Sequence, residues 1–527
     1  MTETEKRTQP GIVTELEATM RDGTILRADS YQPPGAGPWP VLLARTPYGK
    51  RDPGVLARLD PLRAAARGHL VVIQDCRGRF RSDGEWTPLA HESADGYDTI
   101  RWAARLPEAD GRVYTYGPSY LGHTQWAAIG AKPPELRAAI PEFTWSNPDD
   151  GLIQRGGANE LGLMTQWTLS LGQNVLSRLH ADNPAELEQR LTELNAAIEA
   201  LTSRTYWELP IGAPLRRLNL PLPAPNYGQC TATVTVPTLT VAGWYDSFLQ
   251  GSLDNYVNTR SSGSQAALIV GPWTHDNQTS RIGDVDVGAA ADSESIDHGR
   301  SLLDRELDWL DQLSQSQPAE DLPVLLFVMG TNQWRRLPNW PPKSVEVPWY
   351  LNENGRLSPE PPALNSPPDV FVHDSHNPVP THGGALLLTP DFPAGPFDQW
   401  QVEAREDVLV YTSTALHTPL EVIGRIRLHL VADSAADSTD WVARLCDVDT
   451  DGVSRNITDG VVRTNQAAGE WTVDLWSTAH TFLPGHCIRL QITSSCFPRW
   501  DRNFGATGRH TVYHDAIRPS RLILPVA

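Results

Sequence analysis

The chain has 527 residues, 44 Lys+Arg against 63 Asp+Glu, and a formal net charge of −19 at pH 7. That length suits roughly three or four domains with a large core, and 40% hydrophobic residues plus 40 glycines is ordinary globular composition. The acid excess argues against nucleic acid or an anionic membrane as partner.

At the N-terminus, Met1–Arg7 is charged with no apolar run behind it, so no signal peptide is expected. No apolar stretch reaches the roughly 18 residues of a membrane span, so no membrane partner is expected either. Five cysteines, Cys76, Cys230, Cys446, Cys487 and Cys496, include no Cys-x-x-Cys pair. Reduced thiols in a cytoplasmic protein are therefore expected, with no disulfide framework and no zinc site.

Asp22-Gly23 between Val13–Met20 and Ile25–Tyr31 predicts a hairpin. Val41–Ala44 follows as a strand, then a helix after Pro53, a strand at Leu70–Ile73, a helix around Tyr97–Arg105 and a short strand at Val113–Tyr116. This alternation means a parallel sheet covered by helices. A segment of different character runs from Ser146 to Val236. There Asn183-Pro184-Ala185-Glu186 signals a helix start, and Leu187, Leu191, Leu194, Ile198 and Leu201 recur at helical spacing. It reads as a helical cap inserted into the α/β domain. The first rhythm resumes with a strand at Pro237–Ala242, a helix over Asp246–Thr259, a strand at Ala267–Val270, a helix over Ser295–Leu313 and a buried strand at Val324–Met329. After the proline-rich Leu337–Pro342 the period becomes two. Ile426, Leu428 and Leu430 alternate with Arg425, Arg427 and His429, and Ile488, Leu490 and Ile492 alternate with Arg489, Gln491 and Thr493. An antiparallel β-sandwich of jelly-roll type is expected. The expected units are residues 1–145 and 237–342 for the core, 146–236 for the cap and 343–527 for the jelly roll.

The strongest chemical signal is Gly117-Pro118-Ser119-Tyr120-Leu121-Gly122, after a strand and before a helix. A serine nucleophile in such a fold sits on a sharp strand-to-helix turn, though the usual second glycine comes one place earlier, at the position of Leu121. A hydroxyl nucleophile needs a base and an orienting acid, in the chain order Ser, Asp/Glu, His. Asp246, in Gly243-Trp244-Tyr245-Asp246, and His275, in Gly271-Pro272-Trp273-Thr274-His275, each follow the carboxyl end of a predicted strand, where open α/β sheets build their sites. His123 lies on the helix after the elbow and reads as structural. The Tyr120 backbone N–H would be one oxyanion donor. The loop Arg45-Thr46-Pro47-Tyr48-Gly49 should supply the other, and Tyr48 either offers its phenol or packs a proline turn.

Those motifs, with Gln74-Asp75-Cys76-Arg77-Gly78, Ser82-Asp83-Gly84-Glu85-Trp86 and Leu483-Pro484-Gly485-His486, resemble the CocE/NonD hydrolases over nearly the whole chain. That family is related to X-Pro dipeptidyl-peptidases and α-amino acid ester hydrolases. The resemblance implies an α/β-hydrolase core with a helical insertion and a C-terminal jelly roll. It implies Ser119, Asp246 and His275 as triad, Tyr48 as the oxyanion donor beside the Tyr120 amide, and no cofactor or metal. Asp75, Arg77 and Gly78 match a family motif that is assigned a structural role. Relatives that take α-amino acid esters carry carboxylates near the triad acid, whereas Ser247, Phe248 and Leu249 follow Asp246 here. By resemblance, Trp167, Phe248, Leu387 and Leu388 form an apolar acyl pocket. The expected activity is hydrolysis of small carboxylic esters with apolar or aromatic acyl groups through an acyl-enzyme. One rival is an X-Pro-type peptidase or amidase, which would need an anionic ammonium site, for example at Glu160. The other is an inert binding protein using its jelly roll. Assembly into homo-oligomers stays open.

Overall fold

A computed structural model describes residues 11–202, 218–223, 233–315 and 323–527. Met1–Arg7, Cys230 and parts of the insertion (203–217 and 224–232) lie outside the described residues, as does the side chain of Leu201.

The chain opens with β1 (Gly11–Thr19) and β2 (Ile25–Gln32), joined by the Asp22-Gly23 turn. Then come β3 (Trp39–Thr46), α1 (Pro53–Leu59), α2 (Pro61–Ala66), β4 (Leu70–Asp75), α3 (Glu92–Ala103), β5 (Ala109–Pro118), α4 (Tyr120–Ala131) and β6 (Leu136–Glu142). The β6 strand is absent from the sequence-based expectation. Arg137 and Pro141 break its apolar pattern, and only pairing with β5 and a later strand makes it extended. The insertion holds a short β7–β8 hairpin (Gln154–Arg155, Ala158–Asn159), α5 (Leu161–Leu179) and α6 (Pro184–Thr202). The Asn183 side chain accepts the Glu186 amide N–H at 3.3 Å, so the expected start signal operates as a helix cap.

The core resumes with β9 (Thr238–Tyr245), α7 (Leu249–Ser261), β10 (Ala266–Thr274) and the two-residue strands β11 (Arg281–Ile282) and β12 (Val285–Asp286). The helix expected over Ser295–Leu313 is two helices, α8 (Ile296–Gly299) and α9 (Leu302–Ser314). Ser301 adopts an extended backbone and its hydroxyl accepts the Asp304 N–H at 3.2 Å, which ends one helix and starts the next. The core closes with β13 (Val324–Val328) and β14 (Gln333–Leu337).

These strands form one ten-stranded sheet in the order β1-β2-β4-β3-β5-β6-β9-β10-β13-β14. From β4 to β13 every neighbouring pair is parallel, and β1, β2 and β14 run antiparallel at the edges. Every residue of β4, β9 and β13 is buried. This is the pattern of parallel strands covered on both faces.

From Val345 a second sheet begins. Its strands are β15 (Val345–Asn352), β16 (Arg356–Ser358), β17 (Asp369–His373), β18 (Leu409–Thr412), β19 (Leu420–Ser434), β20 (Thr439–Val448), β21 (Ser454–Thr464), β22 (Ala468–Phe482), β23 (Cys487–Thr493), β24 (Gly508–Tyr513) and β25 (Arg521–Val526). All its described pairs are antiparallel except β16–β18. From Arg425 to Ser434, β19 alternates buried and half-buried residues as its sequence predicts. In β23, Gln491 and Thr493 are buried too, because Gln491 bonds Arg444 and Glu403 and the Thr493 hydroxyl donates to the Asp407 carbonyl. The two sheets share a continuous apolar core, and Met329 exchanges backbone hydrogen bonds with Ala479 and Thr481 of β22. Among the described residues no helix is long and apolar enough to cross a membrane.

Candidate active site

Ser119 stands between β5 and α4 at φ 60°, ψ −123°, a backbone region that non-glycine residues occupy only when the surroundings impose it. The constraints are visible. The Ser119 N–H donates to the Glu142 carbonyl at 2.9 Å, and the Thr144 hydroxyl donates to the Ser119 carbonyl at 2.9 Å. A β-carbon at Gly122 would lie 2.8 Å from Thr144 and 3.1 Å from the Glu142 carbonyl. The close helix–strand contact therefore falls at Gly122, which explains why the glycine comes one position later than the usual spacing. Behind the turn, Glu92 binds both the Arg45 guanidinium (2.7 Å) and the Tyr120 hydroxyl (2.8 Å), holding the first turn of α4 in place.

Asp246 is fully buried at the end of β9, and His275 follows β10. Nδ1 of His275 lies 2.7 Å from Oδ1 of Asp246. The imidazole sits edge-on to Phe248 (5.3 Å) and Phe143 (6.3 Å), and the His275 backbone carbonyl accepts the Gln278 side-chain N–H at 2.8 Å. Ring position and loop are thus fixed independently. Burial alone lowers the His275 pKa, but the charge and hydrogen bond of Asp246 outweigh it and the net shift is upward. The acid limb of kcat/KM is accordingly expected above the value of about 6.5 for an unperturbed histidine, because only neutral imidazole accepts a proton. A pH–rate profile checks this, and Asp246→Asn should move the limb down. A wild-type limb below that value would contradict the coupling.

The Tyr48 hydroxyl accepts the Trp167 indole N–H at 3.1 Å, and Tyr48 lines the same cavity as Ser119. Burial pushes this phenol upward, so it stays protonated and able to donate at neutral pH. As the first residue of α4, Tyr120 has a backbone N–H with no intrahelical acceptor.

Ser119, Tyr48 and His275 open into a cavity of about 940 Å³ whose apolar wall includes Leu163, Trp167, Leu171 and Leu387. Two of the expected pocket residues are elsewhere. Phe248 is buried behind the His275 ring against Trp145, and Leu388 packs on Gly162 of α5. Glu160 is also turned away from this cavity. It is buried, accepts the Trp500 indole N–H at 2.8 Å and feels the charges of Arg499 and Arg155, so it joins cap to β-domain. His123 is buried and stacked on Trp145 at 5.2 Å, with burial lowering its pKa to about 3, a neutral packing residue. The remaining motif is architectural. Asp75 accepts the Lys50 N–H at 2.6 Å, Arg77 pairs with Asp95 and Asp22, and a β-carbon at Gly78 (φ +68°) would strike the Trp86 backbone. The sequence reading missed Arg58 and Arg79 in the cavity wall; neither lies in a catalytic pattern. Among the described residues no group of three or more His, Cys, Asp or Glu is placed to hold a metal ion.

Residues 22–277 match the family model of the X-Pro dipeptidyl-peptidase (S15 family), and residues 319–523 match that of the X-Pro dipeptidyl-peptidase C-terminal non-catalytic domain. The chain is similar to cocaine esterase of Rhodococcus sp. (strain MB1 Bresler), with 31% identity over 582 aligned positions covering 98% of each chain. An aminopeptidase from the marine sediment archaeon Thaumarchaeota archaeon has a similar structure, with TM-score 0.78, 22% identity and coverage of 100% of this chain and 98% of that one. An α-amino acid ester hydrolase follows with TM-score 0.75, 23% identity and the same coverage. At these identities the two structures speak to fold alone, an α/β-hydrolase core with a separate all-β C-terminal domain.

Proposed function

Since the chain belongs to the CocE/NonD hydrolases of the X-Pro dipeptidyl-peptidase (S15) family, and is thus an ester- or peptide-hydrolysing enzyme, we propose that it is a serine esterase for small substrates with apolar or aromatic acyl groups. In this reading His275 takes the Ser119 proton as Oγ attacks the ester carbonyl. Asp246 keeps the imidazole in the correct tautomer and stabilises the imidazolium that forms. The Tyr48 hydroxyl and the Tyr120 amide receive the oxyanion. His275 returns the proton to the departing alcohol, then activates the water that releases the acid from Ser119. The observation that carries the reading is that His275, held 2.7 Å from the buried Asp246, lines the same cavity as the strained Ser119. The four free cysteines among the described residues suit a reducing cytoplasm.

Acyl preference rests on the wall formed by Leu163, Trp167, Leu171 and Leu387. An aryl group there gains about 25 cal/mol for each Å² removed from water. An ammonium in the same place loses hydration that leucine and tryptophan do not restore. Glu160, already bound to Trp500, is not an ammonium partner in this cavity. A benzoyl ester should therefore show higher kcat/KM than a matched phenylglycine ester with a free amine. Preference for the amine, or efficient cleavage of an X-Pro anilide, would overturn this reading in favour of a peptidase.

A further inference from the structure

Arg79 is 1% exposed, yet it lines the same cavity as Ser119. Its Nε donates to the Pro47 carbonyl at 2.7 Å and its Nη1 reaches the Leu171 carbonyl at 3.4 Å. The guanidinium stacks against Trp86 (5.2 Å) and Phe80 (5.3 Å). Among the described residues no carboxylate pairs with it. Burial lowers its pKa only to about 10, which leaves it charged at neutral pH. A buried charge is normally paired, because desolvation is expensive. Here the fold holds an unpaired one at the wall of the reaction cavity.

The position is built rather than incidental. Arg79 lies in a strap between β4 and α3 that is tied to the cap. The Phe80 N–H donates to the Asn174 side chain at 3.2 Å, and Arg178 donates to the Phe80 carbonyl at 2.9 Å and the Gly84 carbonyl at 3.2 Å. Phe80 itself sits at φ +42°, a strained value that directs the strap into this course. Asn174 and Arg178 stand on α5 beyond Trp167 and Leu171, so the charge lies along the same wall as the apolar acyl surface.

Besides Tyr48, four other charged or titratable groups line the cavity. His275 belongs to the catalytic site. Arg58 is paired with Glu142 at 3.1 Å and with Gln278. Asp52 is exposed and caps α1 through the Gly54 and Val55 amides, and Asp276 is exposed beside His275. Water screens both carboxylates, whereas the buried guanidinium is screened far less.

We propose that Arg79 sets the charge selectivity of the acyl site, which accepts neutral or carboxylate-bearing acyl groups and rejects ammonium-bearing ones. This rests on the esterase reading above and deepens it. A carboxylate supplies the missing counter-charge and an ammonium meets an uncompensated like charge.

The test uses three phenyl esters of one shape, para-methyl-, para-carboxy- and para-(aminomethyl)benzoate, with kcat/KM corrected for intrinsic alkaline hydrolysis. Like-charge contact in a desolvated site costs enough for about 10- to 100-fold discrimination, so the wild-type order should be carboxylate at or above methyl, with ammonium lowest by that factor. Arg79→Met should compress the spread, and Arg79→Lys should restore the order, since it keeps the charge. Ratios within one protein cancel any general loss of folded enzyme, so a purely structural role moves none of them. Equal rates for all three esters in the wild type, preference for the ammonium ester, or an unchanged spread in Arg79→Met would each overturn the proposal. Should Arg79→Met not fold, Arg79→Gln takes its place, and a wild-type carboxylate ester slower than the methyl ester would also overturn the proposal, since the apolar wall alone disfavours both charges. Turnover of the methyl ester with Ser119 labelling intact keeps the esterase reading standing whatever the charge series shows.

Discussion

Ser119→Ala is expected to lower kcat by about ten-thousand- to million-fold, with His275→Ala of similar size, since members of a triad act as a unit. The residual rate would come from oxyanion donors and substrate binding, which the substitution leaves in place. Alanine at φ 60°, ψ −123° carries the same backbone strain as serine, so the fold should persist, and thermal unfolding can verify it. A fluorophosphonate probe gives an orthogonal readout. It should add one label to wild-type protein on the peptide holding Ser119 and none to Ser119→Ala. An inert binding protein would take no label at all, and clean Ser119→Ala with more than a small fraction of wild-type rate would remove Ser119 from the mechanism.

Tyr48→Phe should cost about 100- to 1,000-fold in kcat with much less change in KM. The hydroxyl is called on when charge develops on the substrate oxygen, and a preorganised donor in a water-poor site contributes about 2.7–4 kcal/mol there. The substitution keeps the ring and its packing, and deletes only the oxygen that meets the Trp167 indole. Loss of that hydrogen bond to Trp167 should cost about 0.5–1.5 kcal/mol of stability, too little to account for the kinetic loss. Near-normal turnover would leave Tyr48 a packing residue and give the second donor to another group.

The elements legible in the sequence are those whose signals are local. The Asp22-Gly23 turn, the Asn183 cap and the alternation of β19 each depend on neighbours within a few residues, and each appears in the structure. The Gly122 spacing is legible as a motif, but its shift by one position makes sense only with Thr144 seen against the helix. The β6 strand is not readable, because its extended form depends on parallel partners far along the chain. The break at Arg300–Ser301 is hidden inside a stretch whose leucines keep helical spacing. Phe248 stands beside His275 but not as a pocket wall; it supports the imidazole from behind instead of lining the cavity.

By itself the sequence determined the layered α/β core, the change to antiparallel strands after Leu337–Pro342, and the order Ser119, Asp246, His275, which fall after β5, β9 and β10. Periodicity, turn chemistry and chain order are properties of short windows, and strand ends in a parallel sheet converge on one edge whatever the side chains do. Tertiary structure alone decided how charges are compensated. Glu160 meets Trp500 across 340 residues, and Arg79 stands out for meeting only carbonyls and no carboxylate among the described residues. Pairing and burial sum over neighbours that folding brings together from distant parts of the chain, so no window of sequence contains them.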